Sequence, residues 1–133
     1  MNKLFTTLFV LVSLLLAISC DIFTPKEFQM YNTSWSITDV SMNDAPHKKL
    51  TYTETSYSFE NEAGDVIDAG SITNERYNRY EYVIESVNIE GYTYLEGESG
   101  YAEFSISNNT LTITFYDSPS KNTTHLTMTA EKL

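Results

Sequence analysis

Apolar and polar residues alternate with a period of two through most of the chain after Tyr31. The pattern is clearest in three late rows of every second residue: Ala102, Phe104 and Ile106; Leu111, Ile113 and Phe115; Leu126, Met128 and Ala130. Such alternation is typical of β-strands with one buried face, and no segment of this region shows a helical period. The sequence therefore predicts an all-β domain.

Shorter rows in the first half of the domain predict further strands. The apolar positions come in pairs at Trp35 and Ile37, Leu50 and Tyr52, and Tyr57 and Phe59, followed by a strand from Val66 to Ile72. Residues 41–49 and 61–65 separate them as loops, and residues 54–56 form either a tight turn or part of one bent strand. Gly70 inside a strand indicates a bulge or a sharp bend.

The middle of the chain contains a change of parity. Tyr80, Tyr82 and Ile84 share one face, whereas Val87 and Ile89 fall on the other, so we expect a bulge near Glu85 and Ser86. Beyond it, turns are predicted at Gly91 and at residues 97–100, on either side of a short segment, 92–96. The pair Asn108 and Asn109 is suited to the positive φ angles of a tight hairpin, and residues 117–122 form the last loop.

Together these rows predict eight or nine short strands joined mostly by hairpins. Consecutive antiparallel pairing without helices favours a meander that closes into a barrel, because closure removes the exposed strand edges that promote aggregation. A two-sheet β-sandwich is the alternative architecture.

The N-terminus has the organisation of a secretory signal peptide. Lys3 precedes an apolar run from Leu4 to Ile18, which is short for a membrane span of about 20 residues. The last residues of this segment, Leu16-Ala17-Ile18-Ser19-Cys20, resemble the lipobox of bacterial lipoproteins. The resemblance implies cleavage before Cys20 and attachment of fatty acyl chains such as palmitate to it. Ordinary signal peptidase cleavage at the same bond is the alternative, and an uncleaved anchor is disfavoured because no basic cluster follows the run.

This interpretation divides the chain into a signal peptide (1–19), a lipidated tether (20–30) and one β-barrel domain (31–133). Cys20 is the only cysteine, so no disulfide can form within the chain. We therefore expect a protein of the bacterial cell envelope, anchored by lipid to the inner or the outer membrane.

The chain is acidic, with 18 Asp and Glu against 8 Lys and Arg and a formal net charge of -10. Nucleic-acid binding requires clustered Lys and Arg and is not expected. A basic protein remains a possible partner, although acidity also serves the solubility of an exported domain.

The domain resembles the small lipocalin-like domains of bacterial lipoproteins. The resemblance covers residues 31–133 and rests on an early Trp35, the strand Leu50-Thr51-Tyr52-Thr53, a glycine-containing strand, and the late hairpin sequence Asn108-Asn109-Thr110-Leu111-Thr112-Ile113-Thr114-Phe115. Thr33-Ser34-Trp35 stands where lipocalins have Gly-x-Trp, and the chain is shorter than a typical lipocalin. The resemblance implies a barrel that holds a small ligand.

No catalytic or metal-binding motif is present in the sequence. His47 and His125 lack spaced partners, and the acidic turn at residues 61–65 has too few oxygen ligands for calcium. We find no nucleophile with a matching base and no phosphate loop, and we expect a non-enzymatic protein without cofactor or metal.

Ten tyrosines are the one compositional excess. Tyrosine suits recognition surfaces and semi-polar pockets, although it is also a favoured strand residue. The leading functional hypothesis is that the barrel binds a small apolar or amphipathic ligand in a cavity lined by Trp35, Tyr52, Tyr57 and Phe104. The rival hypothesis is an acidic protein-binding module, an inhibitor or a surface interaction protein, that recognises a basic partner.

Overall fold

A computed structural model of the protein describes residues 28–117 and 124–133. They form eight strands and one short 3₁₀ turn, Thr93–Leu95. The strands are β1 (Thr33–Val40), β2 (Lys49–Tyr52), β3 (Ser56–Glu60), β4 (Val66–Arg76), β5 (Arg79–Val87), β6 (Ser99–Ser107), β7 (Thr110–Tyr116) and β8 (Thr124–Lys132). Within these two ranges, no helix has the length and apolar character to cross a membrane.

Each strand pairs antiparallel with the next, and β8 returns to pair with β1, so that the sheet is a closed barrel. Closure is direct: Trp35 lies opposite Lys132 and Ile37 lies opposite Ala130. The closed antiparallel meander predicted from the sequence is therefore confirmed, and the β-sandwich alternative is wrong.

The alternating rows occupy the barrel interior as predicted. Cross-strand pairing aligns Phe104 with Ile113, and Ile113 in turn with Met128, so the late rows form one continuous layer. Leu111, Ile113 and Ala130 are fully buried. Because side chains on one face of adjacent strands lie about 5 Å apart, these rows pack directly against one another.

The predicted bulge in β5 is present at Glu85. Ile84 pairs with Gly70 and Ser86 with Ala69, which leaves Glu85 without an opposite residue. The extra residue restores the inward direction of Val87 after the row Tyr80, Tyr82 and Ile84. The two parities seen in the sequence thus belong to one strand.

The short segment 92–96 is not a strand. Of the two predicted counts, eight and nine strands, the structure has eight. Its backbone makes local hydrogen bonds, from Leu95 N–H to the Tyr92 carbonyl (3.1 Å) and from Glu98 N–H to the Leu95 carbonyl (3.0 Å). A chain that turns this tightly cannot also extend along β5, so residues 88–98 form a loop over one end of the barrel.

The two ends of the barrel differ. At the end where β1 begins, short turns join β2 to β3, β4 to β5 and β6 to β7, and we call this the closed end. Met30 is fully buried there, and the Phe28 ring packs edge-on against Phe104 (5.5 Å) and Tyr80 (6.0 Å). Residues 28–30 fall within the predicted tether, yet they cover the closed end of the core. The opposite, open end carries the longer connections: 41–48, 61–65, 88–98 and the one after β7.

Candidate ligand cavity at the open end of the barrel

A cavity of about 500 Å³ lies at the open end of the barrel. Its walls come from inward side chains of β3, β4, β5 and β7 and from the loops 41–48 and 88–98. Small-molecule sites commonly occupy 300 to 1,000 Å³, roughly, and are mainly apolar with a few polar groups. The cavity is thus large enough for a small organic molecule.

Four aromatic rings at the inner wall of the cavity form a closed cycle, which we call the aromatic floor. Tyr57 contacts Phe59 (5.8 Å between centroids), Phe59 contacts Phe115 (6.1 Å), Phe115 contacts Tyr82 (5.7 Å), and Tyr82 contacts Tyr57 (6.1 Å). All four contacts are edge-to-face, the arrangement that the ring quadrupoles favour. The floor is therefore a defined arrangement of rings that separates the cavity from the packed half of the barrel.

Two glycines make room for the tyrosines of the floor. A Cβ atom on Gly70 would collide with the Val83 carbonyl and lie 2.9 Å from a ring carbon of Tyr57. A Cβ atom on Gly100 would meet the Tyr116 carbonyl and the Tyr82 hydroxyl. Each tyrosine lies across the glycine on the neighbouring strand, with which it is paired. The glycine that predicted a bend in β4 thus also sets the position of a cavity side chain.

Asp68 is the most buried acid of the cavity wall. It lies near the start of β4, opposite Phe59, and Oδ1 accepts a hydrogen bond of 3.0 Å from the Tyr57 hydroxyl. Burial raises the pKa of Asp68 to about 6, and the hydrogen bond from Tyr57 opposes this effect. Burial and the neighbouring carboxylate both raise the pKa of Tyr57, so the tyrosine remains the donor.

His47 lies in the wall at the end of the first long loop. It is 5 % exposed, and its ring packs edge-on against Phe59 at 4.9 Å. Its Nδ1 atom is buried and has no hydrogen-bonding partner among the described residues. Burial lowers the pKa of His47, which favours the neutral imidazole. A neutral imidazole presents one donor and one acceptor nitrogen, so His47 adds a polar ring to the mainly apolar wall of the cavity.

The loop 88–98 forms the outer wall. Ile89, Tyr92, Tyr94 and Leu95 face the cavity from it, and the rings of Tyr92 and Tyr94 stack at 6.4 Å. Tyr94 is 71 % exposed. The loop is fixed at its base, where Gly97 N–H donates to the Ile84 carbonyl (2.7 Å) and Val87 N–H donates to Oε1 of Glu96 (3.0 Å). An aromatic rim thus stands on a well-bonded base.

The open end is acidic. Among the described residues of its connections, the only basic side chain of Lys or Arg is Lys48. Seven residues of the same connections are acids: Asp44, Glu62, Asp65, Glu90, Glu96, Glu98 and Asp117. Of these acids, Glu98 and Asp117 also line the cavity. The acids are not gathered for a metal ion, since within residues 28–117 and 124–133 no three His, Cys, Asp or Glu form a group that could hold one. The charge therefore acts on the cavity as a broad negative field.

Of the four ligand-binding residues predicted from the sequence, Tyr57 alone lines this cavity. Trp35, Tyr52 and Phe104 lie in the packed half of the barrel and are at most 6 % exposed. The Trp35 indole donates to Thr33 Oγ1 (2.9 Å), and the Tyr52 and Tyr80 hydroxyls share a hydrogen bond of 2.6 Å. These contacts complete the core.

Cys20, the predicted lipid attachment site, lies outside the described residues, as does the loop segment 118–123.

Sequence reasoning missed Asp68 and did not assign His47 to a site. The signal for Asp68 was its register: it precedes Gly70 and Ile72 by two and four residues on the inward face of β4. An acid on an inward row indicates a cavity or a specific partner, because a charged group is costly to bury.

Comparison of the chain with protein-family models and with curated proteins found no match.

Proposed function

We propose that this protein is a non-enzymatic binding protein of the bacterial cell envelope, which holds a small amphipathic molecule in the open end of its barrel. The observation that supports this most directly is the cavity of about 500 Å³ at the open end. Its aromatic floor offers apolar area, while Asp68 and His47 offer polar groups that would orient a ligand.

The packing of the barrel supports a binding role over a purely structural one. The half of the barrel near the closed end is filled, with Trp35, Tyr52 and Tyr80 at about 1 % exposure. A filled half supplies the stability that an open half cannot, because burial of apolar surface is the main favourable term in folding. The division into a packed half and a hollow half is what a ligand carrier requires.

The anchor belongs to the same proposal. Phe28 lies at the closed end, and seven residues separate it from Cys20 in the sequence. An extended chain of this length spans at most about 28 Å. A lipid on Cys20 would therefore hold the closed end near the membrane and leave the cavity mouth facing away. Two or three acyl chains would make the attachment stable, since one chain alone binds only marginally.

The test is native mass spectrometry of the protein purified from its own host in a nonionic detergent. We expect a small molecule that is bound to the wild type and lost in Ile84→Trp, which places an indole inside the cavity. Val83→Trp is the matched control, because Val83 is the preceding residue of β5 and is 38 % exposed. Retention of the molecule by Ile84→Trp, or its absence from the wild type, would contradict the proposal.

The acidic open end favours one second candidate, the recognition of a basic protein. Seven acids surround a mouth that also exposes Tyr92 and Tyr94, and charge complementarity of this kind speeds association between proteins. Co-purification of a stoichiometric basic protein, sensitive to salt and to Tyr94→Ala but not to Ile84→Trp, would favour this candidate over the small ligand.

A further inference from the structure

We infer that the ligand carries a protonated primary or secondary amine on an apolar body, and that the amine lies against Asp68 and His47 at the edge of the aromatic floor. This inference rests on the proposed ligand-binding function and adds the chemical class of the ligand.

The first argument is the carboxyl group of Asp68. It lies in the cavity wall and accepts one hydrogen bond, from Tyr57, although an ionised carboxylate can accept about four. None of the described lysine or arginine side chains lies within ion-pair distance of it. A carboxylate taken out of water is stable only when it is paired or well hydrogen-bonded. A ligand with a positively charged nitrogen would supply the missing charge and the missing donors.

The second argument is the aromatic floor. The faces of aromatic rings carry partial negative charge and attract organic cations within about 6 Å of the centroid. Tyr57 and Phe59 flank Asp68 on the neighbouring strand, and Tyr82 and Phe115 complete the cycle. A cation beside Asp68 would thus have both a carboxylate and aromatic rings around it, while its apolar body would rest on the remaining rings.

The third argument is His47, which distinguishes between classes of cation. Its ring lines the cavity and packs against Phe59, which pairs directly with Asp68, and its buried Nδ1 has no partner among the described residues. A buried polar atom without a partner loses its hydrogen bonds to water and gains none in return, which is unfavourable. A primary or secondary ammonium has N–H groups to donate to the acceptor nitrogen of the neutral imidazole as well as to the carboxylate. A quaternary ammonium has none, so the geometry favours the amine.

The charge of the cavity also argues against an anionic ligand. Glu98 and Asp117 line the same cavity as Asp68, and the surrounding loops are acidic. The carboxylate of a fatty acid would meet like charges at Asp68, Glu98 and Asp117. Like charges brought together in a partly buried site repel strongly, because the effective dielectric constant there is low.

The test uses calorimetric titration of the full-length protein in nonionic detergent with four matched probes: hexylammonium, hexyltrimethylammonium, hexanol and hexanoate. These short probes remain mainly in water, and titration into detergent alone gives the blank. At a pH of about 8 the alkylamine is protonated, since free primary amines titrate near 10. We expect hexylammonium to bind about tenfold or more tightly than hexanol, as charge-assisted hydrogen bonds imply. We expect hexanoate to bind most weakly.

Variants identify the residues responsible. Asp68→Asn keeps the shape of the side chain and should abolish the preference for hexylammonium over hexanol. Asp39→Asn, the same change at an exposed position of β1, should leave that preference intact. His47→Phe keeps the ring against Phe59 and should weaken hexylammonium about fivefold, with little effect on hexyltrimethylammonium. Circular dichroism of each variant confirms that the barrel is formed.

The outcomes separate this inference from the proposed function. Equal binding of hexanol and hexylammonium, or tighter binding of hexanoate, would overturn the amine and leave the binding function standing. An unchanged preference in Asp68→Asn would overturn the assignment to Asp68. If no probe binds and the protein purified from its host is also empty, both the amine and the proposed function are wrong.

Discussion

The Tyr57 hydroxyl donates a hydrogen bond of 3.0 Å to Asp68 Oδ1 across the β3–β4 ladder, and both residues line the same cavity. This hydrogen bond links the Tyr57 ring of the aromatic floor to the carboxyl group of Asp68. Because Tyr57 also lies over Gly70, the position of the carboxyl group depends on a backbone feature of the neighbouring strand.

Asp68 should make the empty protein less stable as the pH rises. Burial raises its folded pKa to about 6 from an ordinary value of 3.8, so the folded state binds the proton more tightly than the unfolded state. Well below pH 4 both states are protonated and nothing is lost; as the pH rises from there to about 6, the wild type loses stability relative to Asp68→Asn, by roughly 3 kcal/mol in total. Urea denaturation of both proteins across this range measures the difference. A difference that stays constant with pH, or grows in the other direction, would contradict the assignment.

The buried hydroxyl pair of Tyr52 and Tyr80 should act as a unit. Either Phe substitution leaves the other hydroxyl buried without its 2.6 Å partner and should cost about 1–2 kcal/mol of unfolding free energy. The double substitution should cost clearly less than the sum, because it removes both polar groups. A double-mutant cycle by chemical denaturation gives the coupling. Tyr94→Phe, at a ring that is 71 % exposed, is the control and should have almost no effect; strict additivity at Tyr52 and Tyr80 would show that the hydrogen bond contributes nothing.

Gly70 and Gly91 should respond differently to alanine. A Cβ atom on Gly70 collides with the backbone of Val83 and with Tyr57, so Gly70→Ala should destabilise the barrel by about 3 kcal/mol or more. Gly91 has a φ of +85° but open space around it, so Gly91→Ala should cost only about 1 kcal/mol from backbone strain. Thermal unfolding of the two variants provides the comparison. Equal effects would mean that the close approach at Gly70 does not constrain the fold.

Cys20→Ala tests the anchor. If Cys20 carries acyl chains, its removal should abolish incorporation of radiolabelled palmitate and transfer the protein from the detergent phase to the aqueous phase in Triton X-114 partitioning. Each buried methylene contributes about 0.8 kcal/mol, so the change in partitioning should be large. Substitution of the neighbouring Ser19 by Ala keeps a small residue at the cleavage site and should change neither readout. Unchanged labelling and partitioning in Cys20→Ala would exclude lipidation at this residue.

Much of the barrel could be predicted because its strands have one face inside and one outside. The rows ending at Phe115 and Ala130 and the slip at Glu85 follow from parity alone, since a strand side chain changes face at every residue. Hairpins such as Asn108-Asn109, where Asn108 adopts a φ of 55°, give the order of pairing.

The cavity could not be predicted in the same way. Parity shows that Tyr52 and Tyr57 both point inward, but not that one lies in the packed half and the other at the hollow end. That difference depends on the position of each residue along the barrel axis, which follows from strand tilt and register between distant strands. His47 and the segment 92–96 belong to loops whose conformation depends on what they pack against, and no period marks such contacts.

The even number of strands has a practical consequence. Strand β8 finishes beside the beginning of β1, where Leu133 N–H donates to the Ser34 carbonyl at 2.9 Å. A reporter fused after Leu133 would therefore emerge at the closed end. A lipid on Cys20 would hold that end against the bilayer, where headgroups would crowd the reporter. An epitope inserted into the turn at residues 61–65 would instead lie at the open end, accessible to antibodies on intact membranes.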